Sequence, residues 1–208
     1  PSVWYTMAFL KSKSTQKDGR VFIVEIMGHK VGWLTLYAGI AGGADIILIP
    51  EIPYDIDVVV EAIKGRVRSG KNFTILAVAE GAISREDAAL TKKELKEKKK
   101  NGPAYPSVAY ALGAQIQEKT GQEIRVTVPG HMQRGGEPCP FDRVISTRLG
   151  AAAAQMIKNE EYGYMVALND SQITKVPLEE IAGKLKTVDP NSDIIKEAKS
   201  VGISFGDE

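Results

Sequence analysis

From Arg20 onward the chain alternates short β-branched apolar runs with longer amphipathic stretches. That alternation restricts it to an α/β fold of βα units, a mainly parallel sheet with helices on both faces. Val21 to Ile26 reads as the first strand, after which Met27-Gly28-His29-Lys30 turns into a helix with Trp33, Leu36, Tyr37 and Ile40 on one face. Gly42 and Gly43 end that helix. Ile46 to Ile49 is a second strand, stopped by Pro50, and Asp55 is placed to cap a helix burying Ile56, Val59, Val60, Ile63 and Val67. Phe73 to Ala79 and Ile124 to Val128 are the third and fourth strands. Beyond them Phe141, Ile145, Leu149, Ala152 and Met156 recur at steps of four, four, three and four, which predicts a buried helix face. The tail adds a strand at Tyr164 to Leu168 and a short helix after Pro177. Residues 1 to 16, with Trp4, Tyr5, Met7, Phe9 and Leu10, predict a helix packed on the sheet. The whole reads as one domain over residues 1 to 208 with a helical insertion at about 84–119.

Composition narrows the function classes. The charges nearly cancel, 27 Lys and Arg against 26 Asp and Glu, so nothing pulls the molecule as a whole toward nucleic acid or an anionic membrane. The run Lys92 to Lys100 is interrupted by Glu94 and Glu97 and has no interleaved aromatics, so it reads as a solvated helix face. One cysteine, Cys139, leaves no intrachain disulfide framework and fits a cytoplasmic protein. No run of about 18 apolar residues predicts a membrane span. The first residues, Pro-Ser-Val-Trp, lack the charged and apolar regions of a signal peptide, and the missing initiating Met suggests a piece of a longer chain.

In an open parallel sheet, ligands bind beyond the carboxyl ends of the strands, where the following helices begin. The distinctive residues of this chain fall there: Met27-Gly28-His29-Lys30 after the first strand, Glu80-Gly81 after the third, and Gly130-His131-Met132-Gln133-Arg134-Gly135-Gly136 after the fourth. Glycines let backbone approach a ligand, His131 offers a donor, and Arg134 suits a phosphate fork, so a phosphorylated small molecule fits the pattern. The same glycines would equally serve a tight turn with Arg134 in solvent. Glu80 reads either as an acceptor for sugar hydroxyls or as a surface or helix-capping carboxylate. Arg20 and Arg125 instead begin their strands. At about 3.3 Å per residue, Arg125 lies some 15 to 20 Å from His131 along the chain, so the two arginines point to the opposite edge and would meet such a ligand only from another subunit.

The stretches RVFIVEIMG (20–28), GIAGGADIILIPE (39–51), AVAEG (77–81), TGQEIRVTVPGHMQRGG (120–136) and FDRVISTRLGA (141–151) closely resemble the carboxyl-terminal half of bacterial-type 6-phosphofructokinases, ATP- or pyrophosphate-dependent. The resemblance covers about residues 18 to 170 in order. It implies the Rossmann-like phosphofructokinase fold and the fructose 6-phosphate half of its site. Met27, Gly28 and Glu80 match positions that hold the sugar, and His131 and Arg134 match those that bind its 6-phosphate. Arg20 and Arg125 match positions that reach the same phosphate from a neighbouring subunit, which implies a homo-oligomer, dimer or tetramer, with shared sites. The glycine loop for the donor and the acidic segment with the catalytic base, found in the family's amino-terminal half, do not occur in these residues. Magnesium with ATP, or pyrophosphate, is therefore expected on the full-length parent, with no catalytic residue, metal or cofactor bound by this chain alone.

His29 stands where the family usually has an arginine held to stabilise the transferring phosphoryl group, and an imidazole lacks that permanent charge at pH 7. Of the basic cluster at the regulatory anion pocket of simpler bacterial enzymes, the matching segment 69–72 keeps only Lys71. The resemblance implies a glycolytic kinase making fructose 1,6-bisphosphate. The rival reading is a non-catalytic sugar-phosphate-binding or regulatory module.

Overall fold

A computed structural model of the chain describes Met7 and residues 19–208 apart from residue 72, with the side chain of Lys99 left out. The helix read over residues 1 to 16 thus lies outside the described residues except at Met7, which is helical and fully buried. The chain divides into two compact units, residues 1–135 with 187–208, and residues 136–186.

The first unit is built on four parallel strands, β1 (Arg20–Ile26), β2 (Ile46–Leu48), β3 (Phe73–Ala79) and β4 (Glu123–Thr127), in the order β2-β3-β1-β4. β1 and β3 are in register from Arg20 opposite Phe73 to Ile26 opposite Ala79. Both are buried on both faces, as covered parallel strands must be. One face packs Phe22, Val24, Ile26, Ile47, Ile75 and Ala77 against helix α1 (Trp33–Gly42) and the C-terminal chain. The other packs Val21, Ile23, Ile46, Leu48, Leu76 and Val78 against α2 (Ile56–Arg68) and a later helix of residues 108–120. Asp55 caps α2, its side chain accepting from the Asp57 N–H at 2.8 Å. Two expected core residues lie outside: Val67, in the last turn of α2, is exposed, and Tyr37 is exposed with its ring beside Trp33, centroids 6.1 Å apart.

Between β3 and β4 the chain forms three helices, α3 (Arg85–Ala88), α4 (Lys92–Asn101) and α5 (Val108–Thr120). α5 buries Ala109, Leu112 and Ile116 against the sheet, so it is the ordinary crossover helix; the segment beyond that requirement is 84–107. α4 is an exposed helix started by a capping box of Thr91 and Glu94.

Two acidic side chains fasten the layers. Glu25, buried within β1, accepts from the Ala109 N–H at the start of α5 at 2.9 Å. Glu51 takes the N–H groups of Gly32, at the start of α1, and of Val188, both at 3.0 Å on one carboxylate oxygen. Helix starts leave N–H groups unpaired, and here carboxylates from strand ends satisfy them. The C-terminal chain returns along β2 through a parallel bridge between Ile46 and Ser204, after a helix absent from the sequence reading, residues 193–200, which buries Ile195 and Ala198.

The second unit consists of α6 (Pro140–Lys158), a hairpin of β5 (Tyr164–Asn169) and β6 (Gln172–Pro177), and the short α7 (Leu178–Ile181). The predicted buried face of α6 is corrected: Ile145, Leu149, Ala152 and Met156 are only half-buried, and Phe141 is 69% exposed. Within this unit the helix packs only on a two-stranded hairpin, too small a surface to cover a 19-residue helix. β6 is also absent from the sequence reading. Its turn, Asp170 and Ser171 with φ of 45° and 66°, is a two-residue type that usually carries glycine. Among the described residues no helix is long and apolar enough to cross a membrane.

Candidate functional site

β3, β1 and β4 are neighbours, so the three segments singled out in the sequence emerge side by side. α1 follows β1 on one face and α5 follows β3 on the other, which opens a crevice between their carboxyl ends. In that crevice the turn after β1 is gripped from both sides. The Glu80 Oε1 accepts from the N–H groups of Gly28, at 3.3 Å, and His29, at 2.6 Å. The Gln133 Oε1 accepts from the Met27 N–H at 3.1 Å. His29 is held in the left-handed region, φ 56°, unusual for a residue with a side chain and fixed here by those contacts.

Gly81 is required by the same packing. A Cβ there would sit 2.3 Å from the His29 carbonyl oxygen and 3.2 Å from Pro50. At Gly28 it would meet the Val31 carbonyl oxygen at 2.6 Å. Sequence pattern therefore located Met27, Gly28, Glu80 and Gly81 at one place, but not the way Glu80 acts. One of its carboxylate oxygens organises backbone, and the other is left to accept from a ligand.

His131 and Arg134 lie on a 3-10 turn, Gly130–Arg134, opened by Gly130 at φ 54°. Both are exposed, and neither makes a hydrogen bond or ion pair with another described residue. Two side chains with unengaged N–H donors on one short turn can serve an anion, and a guanidinium can do so with two parallel bonds. Gln133, between them, ties this turn to Met27, so one side chain sets the distance between the first-strand turn and the basic pair. It was not singled out from the sequence, although it stands inside the GHMQRGG stretch.

Arg20 is at the other end of the sheet, whereas Arg125, read as beginning its strand, is the third of five residues in β4, opposite Phe22 of β1, because β4 runs from Glu123 to Thr127. Arg20 is the first residue of β1 and Met27 follows its last, an extended run of about 20 Å. Sequence reading did not show that Glu123 joins them: its carboxylate meets Arg20 Nε at 2.7 Å and Arg125 at 2.8 Å. The hydrogen bond from Arg125, then that from Arg20, holds the Glu123 carboxyl below its ordinary value of 4.5. A carboxyl depressed in the folded state favours that state above its ordinary pKa, and the benefit is lost as pH falls through the lowered value. Arg125→Ala is accordingly expected to move the Glu123 titration, followed by side-chain NMR, back up toward 4.5. An unmoved midpoint would remove Arg125 from the clamp.

Among the described residues no group of three or more His, Cys, Asp or Glu is placed to hold a metal ion. Cys139 is free and exposed, at the start of α6.

A model of the phosphofructokinase family matches residues 5–157. The chain is 52% identical over 188 residues to an ATP-dependent 6-phosphofructokinase of Spirochaeta thermophila, covering 90% of this chain and 51% of that protein. It is 46% identical to one of Chloroflexus aurantiacus, covering 91% and 51%. The chain thus spans about half the length of the curated relatives it matches. Among solved structures, phosphofructokinase of Pichia pastoris in the T-state superposes with a TM-score of 0.67 at 32% identity, covering 86% of this chain and 19% of that one. A pyrophosphate-dependent phosphofructokinase from Nitrosospira multiformis superposes with a TM-score of 0.73 at 18% identity, covering 98% and 52%, a likeness of fold alone.

Proposed function

Because the chain belongs to the phosphofructokinase family, we propose that it supplies the fructose 6-phosphate half of a 6-phosphofructokinase, whose parent transfers a phosphoryl group from ATP to the sugar's 1-hydroxyl. ATP is favoured because relatives at 46 to 52% identity carry that name. The reading rests on one observation: His131 and Arg134 stand unpaired on a turn that Gln133 ties to the Met27–His29 turn. A sugar phosphate has the matching polarity, a dianion at one end and hydroxyls at the other.

In this reading Arg134 and His131 bind the 6-phosphate, and the free oxygen of Glu80 accepts a sugar hydroxyl beside Met27 and Gly28. Arg20 and Arg125 reach the phosphate of a neighbouring subunit in a homo-oligomer. Each guanidinium has five donors, so pairing with Glu123 leaves others for phosphate. The residues that would hold magnesium with the nucleotide are assigned, as the family resemblance implies, to the parent's other half, where the ion would supply charge neutralisation of the nucleotide phosphates. The base that takes the proton from the 1-hydroxyl is likewise assigned to that half, so this chain alone is expected to show no turnover. His29 holds the arginine position of the family without its fixed charge. Such a glycolytic enzyme would act in the cytoplasm.

In the full-length enzyme, Arg134→Ala should weaken fructose 6-phosphate binding by about 1.5 to 3 kcal/mol, the worth of a hydrogen bond to a charged group, with ATP affinity nearly unchanged. Isothermal titration with each ligand separates the two. Unchanged sugar-phosphate affinity would take Arg134 out of the site.

A further inference from the structure

Beyond Glu80 the crevice opens into a cavity of about 450 Å³ roofed by α3, α4 and the start of α5, with the start of α2 as its floor. Glu80 and Gly81 border it, but Met27, His131 and Arg134 do not. Its lining is acidic, with Asp55, Asp57, Glu80, Glu86 and Asp87 against Arg85 and Lys98. Lys98 pairs with Asp87 at 2.6 Å and lies 3.9 Å from Glu86, Arg85 lies 3.8 Å from Asp55, and Lys119, from outside the lining, pairs with Asp57 at 2.7 Å. Carboxylates still outnumber cations. The opposite wall is apolar, formed by Leu95, Pro103, Tyr105 and Val108.

Tyr54 lines the cavity while only 6% exposed, and no hydrogen bond joins its hydroxyl to a described residue. Its oxygen opens onto the cavity rather than being sealed in the core, so it is a hydrogen-bonding group offered to whatever enters. Burial, with Asp87 adding to it, pushes the Tyr54 pKa up to about 12, so the group stays a phenol able both to accept and to donate.

We propose that this cavity is a second small-molecule site, for an organic cation with a flat apolar body. The cation's N–H groups would meet the Tyr54 oxygen and the Asp87 carboxylate, its body would lie on Leu95 and Tyr105, and the tyrosine faces would attract its charge. The excess of carboxylates disfavours a phosphate ester, which sets this site apart from the sugar-phosphate site. Because Glu80 both borders the cavity and holds the Met27–His29 turn, occupancy would be felt at that turn, a consequence that rests on the function proposed above. The binding itself does not.

The test uses the 208-residue chain without sugar phosphate, so the two readings can fail separately. Benzamidine, a planar amidinium, is expected to bind with a Kd of about 1 mM or below by ligand-observed NMR. Benzamide, its uncharged counterpart, should bind at least about tenfold more weakly, and inorganic phosphate should not compete. Tyr54→Phe should weaken benzamidine about fivefold while leaving the melting temperature unchanged or higher, since the hydroxyl it removes has no partner to lose. Asp87→Asn should weaken it as well. Benzamidine that does not bind, or that binds equally well to both variants or no better than benzamide, would overturn the proposal.

Discussion

Gly81→Ala should destabilise the chain by about 1 to 3 kcal/mol, the usual cost of forcing a methyl into a packed site. It should also lower the affinity of the full-length enzyme for fructose 6-phosphate by at least about tenfold, or 1.4 kcal/mol. The cause is a backbone contact. The new Cβ would lie 2.3 Å from the His29 carbonyl oxygen, with Pro50 at 3.2 Å behind it, and neither neighbour is a flexible side-chain end. The His29 carbonyl cannot retreat without pulling its N–H from Glu80, 2.6 Å away. Strain placed at Gly81 is therefore delivered to the Met27–His29 turn. Gly65→Ala is the control: inside α2, its Cβ would find only Arg68 at 3.6 Å, and better helix propensity should raise stability by up to about 1 kcal/mol. Denaturant unfolding of the two variants gives the comparison. Equal midpoints would mean that the turn yields and that Gly81 is not what holds it.

How much of this was legible beforehand follows from the range of each interaction. Strand placement was local: β-branched apolar runs such as Phe73–Ala79 fit only a covered parallel sheet, and Asp55 sits where a helix cap must be. The clustering of Met27, Glu80 and Gly130–Arg134 was also accessible, because fold class alone sends strand carboxyl ends to one edge. Side-chain partners across long sequence separations were not. Gln133 to Met27 spans 106 residues and Glu51 to Val188 spans 137, and no periodicity encodes either. Glu25 gave a partial signal, an acidic residue inside an otherwise apolar strand, but its use at the start of α5 depends on where that helix lands. The α6 face shows the opposite failure. Its spacing was right, yet burial depends on what lies opposite, and within its own unit that is only a hairpin.

Mixing full-length subunits that carry Arg125→Ala with subunits that carry Arg134→Ala should restore activity that neither variant has alone. Each variant by itself should lose about ten- to a hundredfold in kcat/KM, because every one of its sites lacks one charged contact to the 6-phosphate. The proposed division of labour follows the sheet. Arg20 begins β1 and Arg125 lies within β4, joined through Glu123, whereas His131 and Arg134 follow the carboxyl end of β4, so on the proposed reading the two pairs serve different phosphates. A two-fold axis can join one pair from each subunit at one phosphate, by setting the lower edge of one sheet against the upper edge of another. In a mixed pair one site then collects both substitutions and the other collects none. With equal subunits and random exchange, half the pairs are mixed and half of their sites are intact, so activity should rise to about a quarter of the unsubstituted enzyme. Subunit exchange is checked independently by mass spectrometry of differently tagged variants. If exchange is complete and activity stays at the level of the two parents, the phosphate is not shared between subunits, and Arg20, Glu123 and Arg125 are a structural clamp on the edge strand and nothing more.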